Sequence, residues 1–390
     1  MNEDTSIVKV GRTVSPRLLY IVTEDWYFLS HRLPMARAAH AAGFEVHVAT
    51  RIADGAATIK SEGFVPHPIP FARGKVSLLA TLRTIVALRQ IQREIAPAVS
   101  HHVAVQASIL GSLAAIGQPG ARINALTGFG YVFISDRIGA RIMRVLIGVL
   151  LRFLVNRSNA VALVQNLDDQ ESLLALGIDQ DHIALIPGSG VDTDALQPLP
   201  EPAGPPTVAF VGRLLDDKGI HTLVNAHRLL RRSGSNVELL IAGTPDPANP
   251  ASVSEQQAAD FNREPGITWL GHVDDISALW ARAHIAVLPS RREGLPKSLL
   301  EAAACGRAMV ATDVPGCREI VRPEETGLLV PADDAVALAA AIDKLAASSA
   351  LRARYGAAAR RLVVEKFAAV TIGQQTVELY RRLVSASTLN

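Results

Sequence analysis

Cysteine is nearly absent, with Cys305 and Cys317 the only two in 390 residues. Two thiols make no disulfide framework and close no metal site alone, so the chain reads as a cytoplasmic protein with structural thiols. An excess of one charge is also missing. Lys and Arg number 39 against 37 Asp and Glu, a formal +2, which removes any general attraction to nucleic acid and leaves basic function to local patches. No apolar run approaches the roughly 20 residues of a spanning helix. The most membrane-like stretch, Ile138 to Arg157, has its longest run, Val145 to Leu151, bounded by Arg144 and Arg152. The opening MNEDTSIVKVGRTVSP lacks the apolar centre of a secretion signal, so residues 1–16 are expected as a loose tail.

What is present is length and an alternating pattern. A chain of 390 residues with mean hydropathy +0.22 exceeds one ordinary core and predicts two α/β domains. In the first, expected over 17–196, β-rich runs at Leu18–Thr23, Phe44–Thr50, Val65–Ile69, Ala98–His102, Ile123–Leu126 and Val161–Gln165 alternate with helical stretches such as Ser30–Ala42 and Ser77–Ile95. Five prolines in QPLPEPAGPP, 197–206, exclude helix and central strand and mark a linker. The alternation restarts over 207–368 with strands at Thr207–Val211, Val237–Ala242, Ile267–Leu270, Ile285–Leu288 and Ala308–Ala311, and the end is helical, with 369–390 a candidate to return to the first domain. Two doubly wound parallel sheets bind ligands at the carboxyl ends of their strands, in a cleft between the domains.

Two segments carry chemistry there. GRLLDDKG, 212–219, follows a strand; Gly212 lets the backbone approach a ligand, and Arg213 and Lys218 set two cations beside a helix start. They suit a diphosphate, although a solvated basic turn paired with Asp216 and Asp217 has the same sequence. SRREGLPKSLLEAAACG, 290–306, places Glu293 in a turn and Glu301 on the helix predicted over Lys297–Cys305, with the backbone of Gly294, Leu295 and Pro296 between them. Carboxylates accept hydroxyl hydrogen bonds while cations and amides hold phosphate, so the combination fits a nucleotide sugar.

These segments, with DVPGCREIV and GLLVP after them and TEDWYFLSHR, NALTGFGYVF and IPGSGVD before, resemble the retaining glycosyltransferases of family 4, which have the GT-B fold. The branch most similar builds bacterial cell-surface polysaccharide from lipid-linked sugars. The resemblance implies that Arg213 and Lys218 hold the donor diphosphate and Glu301 the ribose hydroxyls. It implies further that Glu293 contacts the transferred sugar, Gly294, Leu295 and Pro296 line its pocket, and Gly243 admits the nucleotide. The first domain departs from the family pattern, with Glu24, Asp25 and Trp26 where many relatives have a glycine-rich loop, and LTGFG where many have a catalytic histidine. His101, His102, Thr127 and Gly128 become candidates for catalysis or acceptor contact, against a purely structural role for each histidine. His31 and Arg32 either face the cleft on the acceptor side or cap a helix.

Arg141, Arg144, Arg152 and Arg157 sit among Ile, Leu, Val and Phe with no acid between them. That pattern suits docking on an anionic membrane, or a core helix with solvated ends. Asp192 and Asp194 mimic a D-x-D metal site but stand just before the linker, and cations replace a metal on the diphosphate in this fold, so no metal or other cofactor is expected. There is no G-x-x-x-x-G-K and no dinucleotide fingerprint. The expected activity is retaining transfer from a UDP-sugar, a hexose or N-acetylhexosamine, to a glycan on a polyprenyl diphosphate, beside other assembly enzymes at the inner membrane face. The rivals are a glycosidase or other hydrolase, a sugar-nucleotide epimerase, or a non-catalytic nucleotide-binding scaffold.

Overall fold

The computed structural model describes residues 15–72, 77–126, 138–157, 159–247, 249 and 251–388. A first sheet holds seven parallel strands: β1 (Arg17–Glu24), β2 (Glu45–Arg51), β3 (Val65–Pro68), β4 (Val99–Val103), β5 (Ala121–Ala125), β6 (Ala160–Val164) and β7 (Ile183–Leu185), in the order 3-2-1-4-5-6-7. A second holds six: β8 (Thr207–Val211), β9 (Glu238–Ala242), β10 (Ile267–Gly271), β11 (Ile285–Leu288), β12 (Ala308–Thr312) and β13 (Gly327–Val330), in the order 10-9-8-11-12-13. The two orders are the same doubly wound plan twice. β4, β5, β6 and β12 are buried along their whole length, as strands covered on both faces must be. The three-residue β7 and the Gly-led β13 escaped the sequence reading because neither shows an alternating or extended apolar run.

Helices fill the crossovers. In the first domain they are α1 (Asp25–His31), α2 (Leu33–Ala41), α3 (Ala56–Ser61), α4 (Leu78–Ile95), α5 (Ala104–Ala114), α6 (Ile138–Val155) and α7 (Leu167–Ala175). In the second they are α8 (Ile220–Arg232), α9 (Glu255–Phe261), α10 (Ile276–Ala281), α11 (Lys297–Ala304), α12 (Cys317–Ile320), α13 (Ala335–Ala346) and α14 (Ser349–Lys366), followed by α15 (Ala369–Thr388). The single helix expected over Ser30–Ala42 is instead two. Pro34 in the first turn of α2 has no N–H and its ring excludes a continuing helix, so the chain breaks at Arg32. Ser77 caps α4, accepting from the Ala80 N–H at 3.1 Å.

One large core holds the second domain together. In the first, Leu18, Tyr20 and Val22 of β1 face α1, α2 and α15, while Leu19 and Ile21 face α4 and α5. α15 packs on α2 and joins the first core through Ile372, Tyr380 and Leu383. The chain crosses between domains twice and side by side, with the Val191 and Ala369 backbones hydrogen-bonded. The proline segment does not hang free. Arg307 donates to the Pro200 carbonyl at 2.9 Å, and Arg352 holds Glu201 at 2.7 Å, so the segment is pinned to the second domain.

On the solvent side of the α4–α5–α6 layer, α4 exposes Leu78, Leu79, Leu82 and Val86, and α6 exposes Met143, Val145, Leu146, Val149 and Phe153. These nine are half of the eighteen large apolar side chains exposed among the described residues. No helix of the described residues is long and apolar enough to cross a membrane.

Candidate active site

In each sheet the strand order reverses at one place, between β1 and β4 in the first and between β8 and β11 in the second. Loops on the two sides of such a point diverge and leave a crevice at the carboxyl edge. The segments leaving β1, β4, β8 and β11 line one cleft of about 850 Å³ between the domains.

The second-domain wall begins where β8 ends. Gly212, Arg213 and Lys218 line the cleft, and the turn Asp216–Lys218 leads into α8 through Gly219 in the left-handed region, φ 71°. A Cβ there would stand 2.0 Å from the Pro289 carbonyl oxygen, so only glycine lets this turn lie against the end of β11. The contact brings Lys218 Nζ to Glu293 Oε1 at 2.5 Å, although 75 residues separate them. Ser290 Oγ donates to the same oxygen at 2.6 Å and fixes the carboxylate's direction. Glu293 is buried and lines the cleft.

α11 starts at Lys297, after Pro296 in extended conformation, and no side chain caps it. Its first N–H groups therefore lie at the cleft wall with the positive end of the helix dipole, an arrangement that favours an anion. Lys297 Nζ lies 3.2 Å from Glu301 Oε1 one turn on. Burial raises the Glu301 carboxyl above the usual range, and Lys297 opposes that rise. Arg213, half exposed, reaches Asp246 at 3.0 Å. Each cation of this wall thus holds an acid.

The first-domain wall is made by Thr23 and Glu24 at the end of β1, by Trp26, Tyr27 and His31 of α1, and by Val103 and Ala104 where β4 ends. Direct links between the domains hold the walls together, among them Arg318 on Asp168 at 2.9 Å. Asn166, which caps α7, donates to the Gly294 carbonyl at 2.7 Å, and buried Asp169 takes Arg292 at 2.8 Å.

With this geometry in view, residues 17–166 match the model of glycosyl transferase 4-like proteins and residues 205–348 the model of glycosyl transferases group 1. The chain is a GT-B glycosyltransferase. It is similar to the capsular polysaccharide biosynthesis glycosyltransferase CapM of Staphylococcus aureus, 23% identical over 88% of this chain and 91% of that protein. The N,N'-diacetylbacillosaminyl-diphospho-undecaprenol alpha-1,3-N-acetylgalactosaminyltransferase of Campylobacter jejuni is 24% identical over 92% of this chain and 98% of its own length. Among solved structures, Anabaena HepE in complex with UDP and glucose superposes with a TM-score of 0.77 at 17% identity, covering 93% of this chain and 99% of that one.

The transferase brings Arg213, Lys218, Glu293, Gly294, Leu295, Pro296 and Glu301 together at one wall, and Glu24 and His31 opposite. Other expected site residues lie elsewhere. Gly243 does not line the cleft; a Cβ on it would meet the Gly212 carbonyl oxygen at 1.9 Å, so its missing side chain admits the chain's own backbone. His101 and His102 are fully buried in the first sheet. His101 Nδ1 pairs with the Tyr380 hydroxyl at 2.7 Å and its ring stacks on Tyr20; His102 Nδ1 lies 3.0 Å from Asn124 Oδ1. Burial holds His101 neutral and lowers His102 to about 4, and neither is among the residues lining the cleft. Asp25 takes the N–H groups of Ala53 and Gly55 and braces the loop after β2. Arg32 is buried at the α1–α2 break, with Met35 sulfur 3.4 Å from one guanidinium nitrogen. Thr127 and Gly128 lie outside the described residues. Asp192 accepts from the N–H groups of Asp194 and Ala195, so its carboxylate organises a turn.

Sequence reasoning missed Trp26, Tyr27 and Lys297 as site residues, and Asn166, Asp169 and Arg292 as links between the walls. Lys297 was within reach of it, since a lysine in the first turn after Pro296 faces the same way as Glu301 one turn later. The links leave no local signal.

Proposed function

We propose that the enzyme transfers a hexose or N-acetylhexosamine from a UDP-sugar, with retention of configuration and without a metal, to a glycan carried on a polyprenyl diphosphate. The observation that carries this reading is the convergence of Arg213, Lys218, the uncapped start of α11, Glu293 and Glu301 on one cleft. UDP bound in the solved neighbour and the lipid-diphosphate acceptor named for the Campylobacter relative support the donor and acceptor classes. As the bond from the sugar C1 to the phosphate oxygen breaks, charge grows on the departing phosphate. Arg213, Lys218 and the α11 N–H groups stabilise that charge more than the ground state. The acceptor hydroxyl attacks C1 from the same face, its proton passes to the leaving phosphate, and UDP departs. Glu293, fixed by Ser290 and Lys218, orients the donor sugar; Glu301 receives the ribose hydroxyls.

A glycosidase needs two carboxyl groups flanking one glycosidic bond. Here both acids belong to one wall, and each has its own lysine. The same proposal places the α4–α6 face on an anionic bilayer. Its apolar side chains are accompanied by Arg83, Arg141, Arg144 and Arg152, and neither helix carries an acid before Glu94. Apolar groups enter the headgroup boundary while arginines stay with the phosphates.

The deciding experiment measures heat protection by UDP, then UDP release from a UDP-sugar panel with bacterial lipid extract, with products read by mass spectrometry and their anomeric configuration by NMR. UDP release with a sugar added to lipid-linked glycan supports the reading. Binding without turnover gives the scaffold, and release without a glycosylated product gives a hydrolase or epimerase.

A further inference from the structure

The wall facing the donor residues is aromatic, in a chain with little aromatic content. Of three tryptophans, Trp280 is buried in the second core and Trp269 Nε1 is held by the Gly243 carbonyl at 2.8 Å. Trp26 alone among them lines the cleft, with 42% of its surface exposed. It meets Tyr27 edge-on at 5.7 Å, and Tyr27 stacks flat on His31 at 4.3 Å with 6° between the planes. An exposed indole face in a polar cleft suits a ligand with an apolar face and a hydroxylated rim, which describes a pyranose ring.

Donor counting fixes the state of His31. The Ser30 hydroxyl lies 2.8 Å from the Trp26 carbonyl, which can only accept, so Ser30 supplies its one proton there. The contact between Ser30 Oγ and His31 Nδ1, at 2.6 Å, must then be donated by the imidazole. The proton sits on Nδ1, and Nε2, without a partner among the described residues, presents a lone pair. Burial and the nearby cations Arg32, Lys297, Lys218 and Arg213 lower the ring to about 3, so it stays neutral. Such a nitrogen accepts a hydrogen bond from a hydroxyl but is too weak a base to keep the proton, which agrees with the phosphate as its destination.

We propose that α1 is the acceptor subsite of this cleft: Trp26 stacks on the terminal pyranose of the acceptor, and His31 Nε2 accepts the hydrogen bond of the hydroxyl that attacks. This inference rests on the glycosyl-transfer reading for the reaction, but the binding it describes is measurable without turnover. The probes are octyl glycosides of glucose, galactose, N-acetylglucosamine and N-acetylgalactosamine, titrated with and without saturating UDP by tryptophan fluorescence and calorimetry. At least one glycoside should bind saturably and persist with UDP present. Trp26→Ala should weaken it about tenfold, the scale of one lost stacking contact, while leaving heat protection by UDP unchanged. His31→Leu should weaken the same glycoside, and His31→Gln, which retains an acceptor oxygen, should recover most of the loss.

The subsite is overturned if no glycoside in the panel gives a Trp26-dependent signal. It is equally overturned if UDP displaces the glycoside, or if Trp26→Ala weakens UDP as much as glycoside. Should UDP fail to protect the protein while glycosides still bind through Trp26, the donor reading falls and the acceptor subsite stands.

Discussion

The two walls of the cleft are built on the same strand order and by opposite chemistry. On the second-domain side, Arg213, Lys218, Lys297, Glu293 and Glu301 form a charged surface in which every cation already holds an acid. On the first-domain side, the surface of α1 is an indole, a phenol and a neutral imidazole. A sheet edge at a topological switch point supplies a place for a ligand; the side chains leaving its strands choose the ligand. Charges organise phosphates, whereas flat rings and lone pairs read sugars.

The sharpest way to break this contrast is to remove its charged side. Lys218→Ala should cut kcat by about 10²–10³, as loss of one group stabilising transition-state charge does, and should also reduce heat protection by UDP. An equal loss of UDP protection in Trp26→Ala would erase the distinction between the walls. Next in size is acid sensitivity of the first domain. His101 and His102 have folded values below the usual 6.5, so the unfolded chain binds protons that the folded chain refuses. The stabilisation from His102 is present above pH 6.5 and is lost as pH falls from there toward about 4, and His101, shifted in the same direction, adds to the loss below pH 6.5. Thermal unfolding followed between pH 7.5 and 4.5 should show the midpoint falling across that window, and a flat profile would contradict buried neutral rings.

Asp169→Asn should lower stability by about 2 kcal/mol, the scale of a hydrogen bond to a charged group, by weakening the hold on Arg292 across the cleft. Denaturant unfolding measures it, and an unchanged midpoint would show that the walls are not coupled there. For the outer face of the first domain, Leu82→Asp with Val149→Asp should reduce flotation with anionic vesicles about tenfold and leave UDP protection intact. Equal flotation would detach the membrane from this face. Smallest of all, Asp192→Asn should leave turnover unchanged in the presence of EDTA, because the amide oxygen can still accept the turn N–H groups; loss of activity would bring a metal back into the reaction.

Legibility followed the same division. The charged wall was readable because its residues stand within two short segments whose order of strand, glycine, cation, carboxylate and helix start is dictated locally. The aromatic wall was only partly readable: His31 was noticed, while Trp26 was noted only as standing where relatives have a glycine-rich loop and Tyr27 was not singled out, since nothing in DWYFLSH says which side of α1 meets the cleft. Gly243 shows the reverse error. Its position after β9 matched a nucleotide approach, but the space it leaves is filled by the Gly212 carbonyl. His101 and His102 stand at the end of β4 as expected, yet β5, α5 and Tyr380 enclose them.

By itself the sequence determined the strand and helix alternation, the doubly wound class of both sheets, and the cations and carboxylates that suit a nucleotide sugar, because periodicity, proline and glycine act over a few residues. Only the tertiary structure decided that Lys218 meets Glu293, that Asn166 holds the loop at Gly294 from the other domain, and which side chains beside β1 see the cleft rather than the core. Those outcomes depend on how one layer packs against another over separations of 75 to 128 residues, and no local pattern encodes that packing.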